Sequence, residues 1–499
     1  MLLIHGYHPF AEDGGVYLAG IEYRLDPSLF PQLTPFVTAH LHYSVFSYIV
    51  AGLVRFTHIP LPWALLAVYV FSLWLTLFAA RSILERCGLH PVAQFAGLAL
   101  LATWGTLPVA GTSLVWLDPY LTARSLSTPL SLLAIGFALD PWPIGISRKQ
   151  YNFSPASQRS LLFCLVCLLL AASLHPLMAA YAAAMIVGLR CTRSPFWRKQ
   201  WSAFAAIALL LAAVLQALAP SESPAVVLAS VSRYYWYLSQ WQWYELCGLA
   251  GPIGVLFLIL RWNRNHTSQS VRDLCRTGIL GGCIAILVNL LFAHRNAPTH
   301  LVARLQPLRI FLLIYALMTI LLAAALAQRL LATRLSLRSC SLVLTAVLLA
   351  NAAILFAAQR ATYPASQHLE MPWRAPTNAW SQAFLWIRDN TPKKALFALD
   401  ADYITQPGED AQTFRATAQR SALPDFSKDG GEASITPGLA QLWLQGVATQ
   451  TNLSLLDDTN RDARLKPLGV TWMVLKSKVP TRHTCPYRNT TVKVCQVDR

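Results

Sequence analysis

Long apolar runs alternate with short basic clusters between residues 62 and 358, and that alternation predicts most of the chain. A helix needs about 20 apolar residues to cross a bilayer. Spans are expected near 62–82, 91–109, 121–141, 201–219, 245–261, 275–293, 308–329 and 339–358. The run 159–190 is too long for one comfortable span and is interrupted by His175-Pro176. Two short helices meeting at that dipeptide make about ten spans in all.

The flanks follow different patterns. Residues 1–40 are polar and aromatic, and Pro9, Pro27, Pro31 and Pro35 argue against a long helix there. Residues 41–58 read as helical but carry His42, Arg55 and His58, which suits a helix lying at the membrane interface. Beyond residue 358 the pattern changes again. Trp380 to Asp389 has helical spacing and stops at Asn390-Thr391-Pro392. Residues 395–399, 469–475 and 492–495 read as buried strands. The expected fold is an α-helical polytopic membrane domain followed by a small extracytoplasmic α/β domain. Its expected parts are an N-terminal segment 1–61, a multi-span domain 62–358 and an α/β domain 359–499.

Composition supports the membrane reading. The chain has 499 residues, of which 55% are hydrophobic and 13% charged, about half the charge of a soluble protein. The net charge of +17 does not predict a nucleic-acid partner, because Lys and Arg punctuate apolar runs instead of forming a patch. With a break at His175, one set of loops collects Arg81 and Arg86; Arg148, Lys149 and Arg159; Arg190, Arg193, Arg198 and Lys199; Arg261, Arg264, Arg272 and Arg276; and Arg329, Arg334 and Arg338. Positive loops stay in the cytoplasm, so both flanks are expected outside it. For the N-terminal flank this requires either a spanning helix upstream of Met1, the preferred expectation, or insertion of 62–82 with its N-terminus outward. Among ten cysteines, Cys164-x-x-Cys167 lies in an apolar run and reads as two small hydrophobes. Cys485 and Cys495 flank a hairpin-like stretch, where a disulfide suits an extracytoplasmic domain.

Candidate chemistry gathers at the ends expected to face outward. Glu12 and Asp13 lie next to each other in His8-Pro-Phe-Ala-Glu-Asp-Gly-Gly-Val-Tyr17. They read as a catalytic pair or as acids at the start of a short surface helix. Asp118, Tyr120 and Arg124 stand between two spans, and His175 stands at the proposed break. Residues 233–245 are crowded with Tyr and Trp, which suits sugar stacking or the headgroup belt. Arg304 and Arg309 follow in a later loop, where arginines can hold a phosphate. Asp425, Lys428, Asp429 and Gly430-Gly431 read as a surface turn, a solvated loop in preference to a substrate contact.

A carboxylate motif in the first outer loop, an interfacial helix, many spans and a terminal α/β domain resemble the GT-C class of membrane glycosyltransferases. More narrowly, the motif 8–17, Asp26-Pro27, Thr122-Ala-Arg-Ser-Leu-Ser-Thr128, Leu305-Gln-Pro-Leu-Arg309 and Trp386-Ile-Arg-Asp-Asn-Thr-Pro392 resemble a group of uncharacterised bacterial multi-pass proteins. The resemblance implies an inner-membrane enzyme that moves a sugar from a polyprenyl-phosphate donor to an acceptor on the outer face. It implies Asp13 as base, with Glu12 supporting it or binding a divalent metal. Tyr120, Arg124, His175, Arg304 and Arg309 are then expected around the substrate, with Arg124, Arg304 and Arg309 holding the donor phosphate. The rival expectations are a lipid or glycan transporter or flippase and a non-enzymatic cell-envelope assembly protein.

Overall fold

The computed structural model describes residues 1–140, 155–262, 268–331 and 337–497. Seven of its helices are long and apolar enough to cross a membrane: Leu61–Arg86, Ala156–Leu174, Trp197–Leu218, Trp243–Trp262, Gln269–Phe292, Leu301–Leu331 and Leu342–Thr362. The chain is a multi-pass membrane protein. The other three expected spans are helices of 13 residues (Pro91–Thr103), 15 residues (Ala123–Phe137) and 18 residues (Pro176–Arg193). Phe311–Leu331 is buried along nearly its whole surface, as expected of a helix that is apolar all round.

His175 breaks the long run because Pro176 cannot donate to a continuing helix. Its extended backbone and its Nδ1, which accepts the Met178 N–H at 3.3 Å, start the second helix as an N-cap. The basic helix ends gather at one end of the bundle. Arg86 pairs with Asp140 at 3.2 Å, Arg190 donates to the Asp140 carbonyl at 3.1 Å, and Arg193 pairs with Asp273 at 3.0 Å. Arg148, Lys149, Arg264 and Arg334 lie outside the described residues.

The C-terminal region forms a mixed five-stranded sheet of order β2-β1-β3-β5-β4. The strands are β1 (Leu396–Ala398), β2 (Ser421–Ala422), β3 (Trp472–Lys476), β4 (Tyr487–Arg488) and β5 (Val492–Gln496). β1 runs parallel to β2 and β3, and β5 runs antiparallel to β3 and β4. Alternate residues serve two cores. Phe397, Val474, Val492 and Val494 pack with Trp380 and Phe384 on one face, and Leu396, Ala398, Met473 and Leu475 pack on the other. Both faces are covered, so the strands read as unbroken apolar runs. Cys485 and Cys495 are joined in a disulfide.

Two expectations need correction. The prolines do not exclude a helix in the first segment: Glu12–Leu25 is a 14-residue helix fitted between Pro9 and Pro27. The stretch 425–431 is instead partly buried and becomes helical at Lys428, with Lys428–Ile435 as a helix and Asp425 and Asp429 inside the protein while Phe426 stays exposed. Gly430 makes this possible, because a Cβ there would meet the Arg233 guanidinium at 2.7 Å and the Trp443 indole at 3.0 Å.

The N-terminal segment is woven into the C-terminal region. Tyr7 bridges Leu369, Ala11 bridges Gln412, and the Glu12 N–H donates to the Ala411 carbonyl at 2.8 Å. Glu12 has φ 55, a left-handed conformation uncommon outside glycine, and this bond helps to hold it. Gly14 and Gly15 permit close approach on two sides. A Cβ on Gly14 would lie 2.8 Å from the Tyr120 side chain, and one on Gly15 would lie 1.5 Å from Thr413 Oγ1. Gly15→Ala is therefore expected to destabilise the junction by about 1–3 kcal/mol. Thermal unfolding in detergent and protease sensitivity near residue 413 would measure the loss.

Candidate functional site

A cavity of about 680 Å³ lies where the first segment, the helix bundle and the C-terminal region meet. Glu12, Asp13, Tyr120, Arg124, His175 and Arg309 all line it. Glu12 and Asp13 occupy the first turn of the Glu12–Leu25 helix, where acids suit the helix dipole. They do more than terminate that helix, because each reaches across to a cation from another element. Thr122 and Ser125 form a capping box that opens the Ala123–Phe137 helix and sets Arg124 in its first turn.

Asp13 is the centre of the charge network. Its Oδ2 accepts from both terminal nitrogens of Arg124 at 3.1 Å, and its Oδ1 accepts from Lys428 Nζ at 3.0 Å. Lys428 also pairs with Glu12. Arg124 is further held by buried Asp118 at 3.0 Å. Burial alone would raise the Asp13 carboxyl, but Lys428 and then Arg124 outweigh it and hold Asp13 well below the usual carboxylate range. Burial opposes the charge on Lys428, yet Asp13 and Glu12 raise its proton affinity above that of an ordinary lysine. Asp13 and Lys428 are thus both charged near neutral pH.

Arg309 differs from these paired groups. Its Nε is buried with no hydrogen-bond partner, and its guanidinium lies 5.8 Å over the Tyr235 ring. It makes no ion pair among the described residues. The nearby side-chain carbonyl oxygens of Gln306 and Gln359 are also buried and unsatisfied, and both residues line the cavity. Unsatisfied groups of this kind call for a ligand or water. His175, with Nδ1 committed to its helix, carries its proton on Nε2 when neutral.

Arg304, expected beside the donor phosphate, does not line this cavity. Buried Glu222 holds it at 2.9 Å and also binds His300 Nδ1 at 2.7 Å, so its charge is spent on stapling two loops. Arg233 lines the cavity wall, but its guanidinium donates to the carbonyls of Ser427 at 2.6 Å and Phe426 at 2.9 Å. It therefore anchors the turn that presents Lys428.

Sequence reasoning ranked Lys428 as a loop residue ahead of a substrate contact and did not single out Glu432. They lie one helical turn apart on Lys428–Ile435 and both line the cavity. The Gly-Gly pair between them suggested a turn, whereas the i, i+4 spacing of Lys and Glu was the available helical signal. Burial, then Asp429 and Asp13, push the Glu432 carboxyl up to about 8.

The arrangement does not fit a divalent metal at Glu12 and Asp13. Both carboxylates face Lys428, and among the described residues no group of three or more His, Cys, Asp or Glu is arranged to hold an ion. A divalent ion about 4 Å from one ammonium meets a repulsion of about 8 kcal/mol at an effective dielectric near 20.

No family model and no curated protein matches the chain. Among solved structures, it is similar to the oligosaccharyltransferase of Archaeoglobus fulgidus in complex with zinc and sulfate, at 13% identity and a TM-score of 0.45. It is likewise similar to the oligosaccharyltransferase AglB of that organism in complex with an inhibitory peptide and a dolichol-phosphate, at 13% identity and a TM-score of 0.46. These alignments cover 94% and 95% of this chain but 64% and 66% of those chains, just under two thirds. Functional assignment therefore rests on the cavity's own residues.

A buried acid near the cavity gives a pH test. Burial pushes the Glu22 carboxyl from 4.5 up to about 8, although Gln419 donates to it at 2.8 Å. The unfolded chain releases this proton at lower pH than the folded one, so stability should fall as pH rises from about 4.5 to about 8. Glu22→Gln is expected to flatten that fall, which melting temperatures at pH 5 and pH 8 would reveal.

Proposed function

We propose that the chain is an integral membrane glycosyltransferase that moves a sugar from a polyprenyl-phosphate donor to an acceptor. The observation that carries this reading is Arg309, a cavity cation with no ion pair or side-chain hydrogen bond among the described residues, beside Asp13, Arg124 and Lys428, which are paired with one another. An anionic headgroup would complete Arg309 through paired hydrogen bonds. Tyr120, Tyr235 and His175 supply the polar and aromatic walls that a sugar phosphate needs.

A separate apolar groove of about 780 Å³ lies between Trp243–Trp262 and Gln269–Phe292. Leu246 and Leu249 line it, and Leu246 adjoins Glu245 of the polar cavity. In the proposed complex the hydrocarbon chain occupies this groove and the phosphate reaches Arg309.

In the reaction, an acceptor oxygen bonds to the anomeric carbon while the bond from that carbon to the donor phosphate oxygen breaks. The acceptor proton passes to Glu432, whose raised proton affinity suits transfer near neutral pH. Asp13 is a poor proton acceptor while Lys428 and Arg124 hold its oxygens, so its role in this proposal is to orient those cations. The departing lipid phosphate remains paired with Arg309. The cavity end is assigned to the extracytoplasmic side of a bacterial inner membrane, because the opposite end carries the basic cluster Arg86, Arg190 and Arg193.

Reconstituted protein with a radiolabelled polyprenyl-phosphate sugar tests the reading. Arg309→Ala should lower transfer by on the order of 100-fold, while Arg304→Ala should lower the melting temperature and leave transfer per folded molecule unchanged. Movement of labelled lipid across the bilayer without a new covalent product would replace this reading with transport. Impermeant thiol reagents should label cysteines introduced in 1–30 and 359–499 from the outside. Cytoplasmic labelling of those positions would remove the outer-face assignment.

A further inference from the structure

We infer that Lys428 takes the place of a divalent cation between Glu12 and Asp13, and that this carboxylate pair binds no metal. Two acidic side chains at a cavity wall are an ordinary beginning of a metal site, but here an ammonium group fills the space between them. Lys428 Nζ contacts Glu12 Oε2 and lies 3.0 Å from Asp13 Oδ1. The second Asp13 oxygen is occupied by Arg124. The pair is therefore neutralised by two fixed protein cations.

The placement of Lys428 is built into the fold. Arg233 grips the carbonyls of Phe426 and Ser427 immediately before it. The Lys428 N–H donates to Asp425 Oδ1 at 2.6 Å, and Asp429 on the same helix is held by Arg415 at 2.6 Å. On the opposite side, Gly14 and Gly15 seat the carboxylate helix directly against Tyr120 and Thr413. A side chain free to move would not need anchors on both sides. The ammonium also does what an ion would do there: it joins an N-terminal element to a C-terminal one and fixes the orientation of Asp13 toward Arg124.

Metal binding can be measured without the transferase reaction, and only the activity measurement below rests on the proposed function. Titration of purified protein with Mn²⁺ alone, followed by electron paramagnetic resonance, is the test. The wild-type chain and Asp13→Asn should bind Mn²⁺ equally, with no site that depends on Asp13. Lys428→Met keeps the aliphatic stem and removes the charge. It should bind one Mn²⁺ per chain, and this site should disappear in Lys428→Met combined with Asp13→Asn. An Asp13-dependent Mn²⁺ site in the wild type would overturn the inference, as would a folded Lys428→Met that binds none. If Lys428→Met does not fold, the comparison of wild type with Asp13→Asn decides the matter by itself. Transfer by the wild type should be unchanged by a chelator. Absence of transfer under every condition, with the Mn²⁺ results as expected, would count against the proposed reaction and leave the Lys428 inference standing.

Discussion

The bidentate hold of Arg124 on Asp13, continued through Lys428, joins three stretches of chain that are far apart in sequence. Arg124 lies in the first turn of a bundle helix, Asp13 in the first turn of Glu12–Leu25, and Lys428 begins a helix of the C-terminal region. Placing three charges in a partly enclosed cavity is costly unless they satisfy one another. Here each has an opposite partner, and Asp118 adds a second carboxylate for Arg124. Removing any one member would leave the others exposed to that cost.

This constraint accounts for several features that look unrelated. Gly14 and Gly15 follow the acids because the helix must press against Tyr120 and Thr413 at once. Glu12 accepts a left-handed backbone because its N–H is drawn to the Ala411 carbonyl, and Ala411 itself has φ 55. Arg233 gives its hydrogen bonds to backbone carbonyls and not to a ligand, because the turn before Lys428 must be fixed. Arg309 stands out as a cavity cation with neither an ion pair nor a side-chain hydrogen bond among the described residues. Glu432 is in turn a cavity-lining carboxyl whose proton affinity is raised by burial and by Asp429 and Asp13. One ion-paired network thus braces the cavity, and Arg309 and Glu432 line it outside those ion pairs.

Much of the organisation was legible in the sequence, since burial leaves periodic traces. Apolar length marked the seven spanning helices, the His175-Pro176 dipeptide marked a break, and continuous apolar runs marked β1, β3 and β5. β2 and β4 are two residues each, too short to leave a pattern. Glu12, Asp13, Tyr120, Arg124, His175 and Arg309 were recognisable as candidates because charged and polar groups beside apolar runs are expensive, and all six line one cavity. Arg304 carried the same signal for a different reason, namely its pairing with Glu222.

The sequence by itself determined that this chain is a helical membrane protein with a small terminal sheet, because hydrophobic length and alternation are local properties. Only the tertiary structure decided which charges meet. Lys428 looked like part of a solvated turn, yet it reaches Glu12 and Asp13 across more than four hundred residues of chain. The proton affinities of Asp13 and Glu432 were equally invisible, because both are set by neighbours brought in from distant segments. Local patterning selects helices and strands, whereas electrostatics depends on distances in space that no local pattern contains.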